Sequence, residues 1–258
     1  MKNNIYTILL LILIFSCSHS VYSQGTFPSW EVGEELTYKV KWTFIRLGTI
    51  KLHICDTVRI NNQKAFHIKC YIDSNPALFF VNYHTVAETF FSKDLEVQYF
   101  TYIEEDEGIT YKAEYRLNHV RGLVSIELTD TSDTSHKITK EIPFTGNLQD
   151  GTSLIYYARA HADKSEQHRV TYLADDGQDV VLINFKGKDG LLKTKPFEQK
   201  IPAYYLEGHV YNRGMAGLSG NFKGWFSADS KRLPLMAKMK VFIGSVSLKL
   251  EEYKINKK

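Results

Sequence analysis

Two-residue alternation, repeated down the chain, is the feature that most limits how it can fold. Leu36, Tyr38, Val40 and Trp42 alternate with Thr37, Lys39, Lys41 and Thr43. Successive side chains of a strand point to opposite faces, so this segment reads as a strand with one face in a core and the other in water. After a break at Arg46-Leu47-Gly48 the pattern resumes at Ile50, Leu52 and Ile54, then at Phe66, Ile68 and Ile72 beyond a turn at Asn61-Asn62-Gln63. Comparable segments lie at 78–91, 97–103, 111–117, 120–128, 136–142, 168–173, 180–185, 203–211, 224–227, 235–242 and 245–253. Turn chemistry at 104–108, 175–177 and 188–190 separates several of them. So many strands at hairpin spacing predict a mainly β fold, a curved antiparallel sheet or partly closed barrel. The 13% aromatic content agrees, since aromatic side chains suit half-buried pleated surfaces.

One segment has another period. Asp150 is placed to cap a helix by accepting backbone N–H bonds, and Leu154, Tyr157, Ala158 and His161 follow at i, i+3, i+4 and i+7. The result is one amphipathic helix of about three turns across a face or end of the sheet. A short echo also exists. Tyr38–Trp42, Leu47-Gly48 and 50–54 resemble 236–241, Ile243-Gly244 and 246–250, which reads either as repetition or as two ordinary hairpins.

The N-terminus reads as an address. Lys2 precedes an apolar stretch at 5–15 and a polar region at 16–23, the order of a secretory signal. The eleven residues of that stretch fall short of the roughly 20 that cross a bilayer. Val21-Tyr22-Ser23 before Gln24 meets the small-x-small rule, so cleavage between Ser23 and Gln24 is expected. That leaves 24–258 as a single β-rich exported domain. The competing route is lipoprotein processing at Cys17, with Ile14 and Ser16 in the required places. No other stretch approaches spanning length, so no integral membrane span is expected.

Export permits a disulfide between Cys55 and Cys70, which flank the Asn-rich turn. Matching the even-numbered apolar residues of the two strands, for example Ile60 opposite Lys64 around a three-residue loop, puts the cysteines on opposite faces. Two free thiols are therefore expected, unless a β-bulge shifts one strand by a residue.

Chemical motifs are absent. The histidines at 53, 67, 84, 119, 136, 161, 168 and 209 form no H-E-x-x-H or H-x-H pair, so no metal is expected. In Gly217-Leu218-Ser219-Gly220 the serine sits one residue too close to the second glycine for a nucleophile elbow, and 214–220 reads as a loop. No P-loop or Rossmann glycines occur, so neither a nucleotide nor any other cofactor is expected. Glu104, Glu105, Asp106 and Glu107 beside Gly108 read as a solvated turn, and Glu34 and Glu35 as the lead into the first strand. No catalytic residue is assigned. Tyr156 and Arg159 on the helix are the candidates for ligand contact, against the plainer reading of a packed helix. The net charge is +3, or +2 once a leader whose only charge is Lys2 is removed, too balanced for nucleic-acid binding.

The segment Val32-Gly33-Glu34-Glu35-Leu36-Thr37-Tyr38-Lys39-Val40-Lys41-Trp42, running on to Leu47-Gly48, resembles the opening of an exported bacterial family, domain of unknown function 3108. Asp229 and Pro234 in the stretch 226–236, then 242–245 and 250–253, are similar to the family's closing Asp-x-x-x-x-Pro strand and glycine hairpin. Tyr156-Tyr157-Ala158-Arg159 is similar to the end of its helix. The resemblance implies a leader or lipoprotein signal and a curved antiparallel β architecture, and it brings no activity, cofactor or catalytic residue. The leader ending in Tyr-Ser before Gln is similar to those of Bacteroidetes-type bacteria.

Three functions compete. The first is a non-catalytic envelope protein, periplasmic or outer-membrane-associated, whose curved sheet and helix hold a lipid, glycolipid or other amphiphile. It requires an inner face not filled by the protein's own side chains. The second is a scaffold that pairs a sheet edge with an envelope protein partner, which requires an edge without protective Lys or Pro. The third is a polysaccharide- or lipid-acting hydrolase, which requires a carboxylate pair or a Ser–His contact.

Overall fold

Alternation that continues through so many segments leaves a sheet as the frame, and the computed structural model bears this out. It describes residues 27–78, 82–106, 108–131, 137–174, 177–211, 219–241 and 244–256. The leader, Cys17, Ser23 and Gln24, together with Glu107, His136, Asp175, Asp176, Phe242, Ile243 and most of the 214–220 loop, lies outside the described residues.

The first eight strands are β1 Glu34–Trp42, β2 Ile45–Ile60, β3 Gln63–Ser74, β4 Tyr83–Ser92, β5 Val97–Asp106, β6 Ile109–Asn118, β7 Leu123–Asp130 and β8 Lys137–Pro143. Helix α1, Gly151–His161, follows. Then come β9 Gln167–Ala174, β10 Gly177–Leu192, β11 Ile201–Val210, β12 Gly220–Ser227, β13 Pro234–Lys240 and β14 Ser245–Ile255. They form a 14-stranded antiparallel sheet in the order β8-β7-β6-β5-β4-β3-β2-β1-β14-β13-β12-β11-β10-β9. The two echoing hairpins are thus four adjacent strands near the middle of the sheet, facing each other across the β1–β14 ladder.

The sheet curls without closing into a barrel. Gln178 Nε2 at the start of β10 donates to the carbonyl of Pro143 at the end of β8, at 2.7 Å. Gln149 pairs with the outer edge of β9, donating its N–H to Thr171 O at 2.9 Å and accepting from Leu173 N at 2.7 Å. The connection between β8 and α1 therefore spans the gap between the two edges.

Three local readings are corrected. The break at Arg46-Leu47-Gly48 is a one-residue bulge within β2, because Val40 pairs with Gly48 and Lys41 with Arg46; the turn lies at Thr43, φ +52°, and Phe44. The stretch at 188–190 is no turn: β10 runs through it, with Gly187 and Gly190 both at φ +71° and register shifts taking up the irregularity. Glu104, Glu105 and Asp106 belong to β5, paired with Tyr111, Thr110 and Ile109 of β6.

The β2–β3 hairpin also differs from expectation. Its loop has two residues, since Ile60 pairs with Gln63, and Asn61 and Asn62 take φ +49° and +63°, as a twist-matched two-residue turn requires. A bulge does follow, and it falls on Cys55 itself, between Ile54 and Asp56. Cys70 pairs with Leu52, and both cysteines are free thiols.

Candidate functional site

The inner face is the natural place for a site, and its centre is occupied by α1. Asp150 Oδ1 caps the helix, accepting from Thr152 N at 2.8 Å and Ser153 N at 3.1 Å, while Asp150 N donates to Ser153 Oγ at 2.8 Å. Thr89 Oγ1 on β4 donates to the same carboxylate at 2.9 Å and ties the cap to the sheet. Burial raises the Asp150 carboxyl above its ordinary value, against the opposing bonds from Ser153, Thr89 and Thr152.

The helix is buried more widely than its apolar stripe implied. Leu154 and Ala158, two residues of the predicted stripe, pack toward β9–β12, but Thr152, Ser153, Tyr156 and Arg159 are enclosed on the side facing β1–β5. Both proposed contact residues, Tyr156 and Arg159, are 0% exposed. Arg159 grips Glu34 of β1 through Nη1–Oε1 at 2.7 Å and Nη2–Oε2 at 3.2 Å, in a bidentate buried pair. It also donates to the carbonyls of Arg232 at 3.2 Å and Lys231 at 2.9 Å. Its guanidinium lies over the rings of Trp30 and Tyr156, 5.8 and 5.2 Å from their centroids. Arg232 donates in turn to Ala160 O at 2.7 Å and Asp163 Oδ2 at 2.6 Å.

The backbone around this knot is arranged to permit it. Gly33 sits at φ +90°, and an added Cβ would lie 2.1 Å from Asn256 O. Asp229 Oδ1 accepts from Ser227 Oγ, Lys231 N and Arg232 N at 2.7 to 3.0 Å, closing the loop that presents the two carbonyls. Gly33-Glu34, Tyr156–Arg159 and Asp229–Pro234 thus converge on one buried polar centre. Nothing local in the sequence pairs Glu34 with a residue 125 positions away.

At the far end of α1, Tyr157 OH and His168 Nδ1 share a hydrogen bond of 2.7 Å, and His168 Nε2 contacts Glu166 Oε1 at 2.9 Å. His161 stacks on Tyr157 with centroids 4.3 Å apart and donates from Nδ1 to the Tyr157 carbonyl at 2.8 Å. Burial lowers the His161 pKa. This cluster was not read from the sequence, although His161 and Tyr157 share the predicted stripe; it anchors the helix end to β9. Among the described residues, no three His, Cys, Asp or Glu side chains stand together as metal ligands.

Toward the β8 edge part of the inner face is uncovered. One line of inward side chains runs Leu36, Leu52, Cys70, Ala87, Tyr102, Ala113, Leu128 and Ile138, directly paired from β1 to β8. It is buried at Leu36, Leu52, Cys70, Ala87 and Ala113, and 53% exposed at its far end, Ile138. Tyr111 and Ile109 beside it are 40% and 39% exposed. On the outward side, two shallow depressions of about 360 and 290 Å³ are lined chiefly by lysines, serine, threonines and carboxylates.

A family model described as "Protein of unknown function (DUF3108)" matches residues 37–251. No curated protein matches the sequence. Among solved structures, a β-barrel-like protein of domain of unknown function DUF1849 from Brucella abortus is similar over 88% of this chain and 98% of its own, at 11% identity and TM-score 0.55. That likeness supports the curled β architecture. A Bacteroides fragilis protein with a YmcC-like fold, assigned as exported, aligns over 89% of this chain and 99% of its own, at 8% identity and TM-score 0.35. A Parabacteroides distasonis protein assigned as a lipoprotein aligns over 88% and 97%, at 6% identity and TM-score 0.37.

Proposed function

Since the chain belongs to the DUF3108 family, whose function is unknown, we propose its role from its geometry: a non-catalytic, exported envelope protein that holds the apolar part of a lipid, glycolipid or similar amphiphile. The requirement of an unfilled inner face is met only in part. The centre is filled by α1 and by Trp30, which packs on Phe66, Phe91 and Tyr156, so no ligand belongs there. The observation that carries the reading is the exposed end of the inward apolar line, where Ile138 and Tyr111 face water on a surface otherwise given to the core. Such concave apolar walls are where β folds seat chain-like ligands.

Lipid extraction and native mass spectrometry of protein purified from its own envelope test this. A bound amphiphile is expected, with occupancy falling about tenfold or more in Ile138→Asp/Tyr111→Asp, given the transfer energy of those side chains. Ligand-free protein from the native envelope, or unchanged occupancy in the variant, would overturn it. The same spectrum reads the leader, as a chain beginning at Gln24 or as a diacylglyceryl mass at Cys17. The scaffold reading gains no support from β8, whose edge carries Lys137, Lys140 and Pro143.

A further inference from the structure

The outward face at the sheet's centre gathers cations in a way that sheet pairing alone disfavours. Lys39 of β1 stands directly opposite Lys249 of β14, and Lys238 of β13 directly opposite Lys223 of β12. Like charges in facing positions destabilise a sheet, and this sheet does it twice within four adjacent strands. Lys41 and Lys238 flank Ser247 from either side, about 10 Å apart by strand spacing. Lys39, Lys41, Lys238 and Lys249 line the depression of about 360 Å³.

Compensation there is thin. Glu251, on the same rim, is shared by Lys39 at 2.9 Å and Lys195 at 3.5 Å. Among the described residues, Lys41, Lys238 and Lys249 have no carboxylate within salt-bridge distance. A chain with a net charge of only +3 has therefore collected around one hollow three ammonium groups that, among the described residues, have no salt-bridge partner. Beside them, in the next positions of the same register line, lie Met236, Trp225 and Tyr205, with the last two rings 5.3 Å apart. Trp and Tyr next to cations suit a surface that is charged at one end and apolar at the other.

We propose that this depression is a binding site for a phosphate-bearing group, held by Lys41, Lys238 and Lys249. The site lies on the opposite face of the sheet from the apolar wall and does not depend on it. A phosphate monoester or diester presents the charge and acceptor oxygens that ammonium groups take as point charges.

The test uses the full exported chain, with vesicles of phosphatidylglycerol in phosphatidylcholine, vesicles of phosphatidylcholine alone, and soluble glycerol 3-phosphate as probes. Binding to the anionic vesicles or to glycerol 3-phosphate, weakened by salt and roughly thirtyfold or more weaker in Lys238→Glu/Lys249→Glu, is expected from about fivefold per lysine at an anionic surface. Preference for vesicles over the soluble ester identifies a lipid headgroup as the source; the reverse identifies a soluble phosphate ester. The variant should melt no lower than the parent, since it relieves both facing like-charge pairs. Lys64→Glu/Lys200→Glu, with the same change in net charge on exposed residues elsewhere, should bind within twofold of the parent. Equal loss in both variants would mean net charge alone is at work, and no binding of either anionic probe would remove the site; either result overturns the proposal.

Discussion

Arg159 has no route to water, and every part of its guanidinium is answered from within: a carboxylate, two carbonyls and two aromatic faces. A buried charge pair of this kind contributes little net stability compared with apolar side chains of the same shape, but removing one member leaves the other charged and unpaired. Arg159→Met is therefore expected to lower unfolding stability by about 3–5 kcal/mol, and Glu34→Gln by a smaller amount because a neutral acceptor remains. The double variant Glu34→Leu/Arg159→Met should recover a large part of the loss. Urea denaturation of these variants together with the single Glu34→Leu reads the coupling, and losses of Glu34→Leu and Arg159→Met that add in the double variant would show that the pair does not act as a unit. The sequence marked Glu34, Tyr156 and Arg159 as elements of a family resemblance, and Tyr156 and Arg159 also as candidates for ligand contact. Their partnership was illegible because it is made across the curl of the sheet, between segments whose local patterns report only strand and helix.

At the scale of the element, the two hairpin residues Asn61 and Asn62 show how much a period-two reading captures. It located β2 and β3 and their apolar residues, because burial follows alternation. It missed the bulges at Leu47 and Cys55, because one extra residue reverses the apparent face without changing residue type. The consequence for the thiols is plain. The bulge leaves Cys55 half-buried and unpaired in the ladder, while burial pushes the Cys70 thiol up to about 12. The turn itself depends on left-handed backbone at both asparagines, which asparagine tolerates and β-branched residues do not. Asn62→Val should cost about 1–2 kcal/mol of stability, and Asn62→Gly should keep or slightly raise it. Thermal melts of the two variants decide this; equal melting temperatures would mean the turn conformation is not required.

For the whole molecule, the governing fact is that a curled sheet left open must keep two edges. Gln149 meets the outer edge of β9, whereas no strand among the described residues pairs with the outer edge of β8. Unpaired N–H and C=O groups on such an edge recruit other strands unless charge or proline interrupts them. β8 carries Lys137 at one end, paired outward with Glu127 at 2.8 Å, and Pro143, which has no N–H to offer, at the other. Losing the Lys137 pair alone should cost at most about 1 kcal/mol, so the folded state survives its removal. Replacing two of its three guards, Lys137→Val with Pro143→Thr, restores a donor and an apolar rim next to exposed Ile138. The variant should then self-associate in a concentration-dependent way that light scattering coupled to size exclusion detects, while its circular dichroism stays that of the parent. A variant that remained as dispersed as the parent at every concentration would mean that Lys140 or the curl of the sheet, and not these two residues, keeps β8 from pairing.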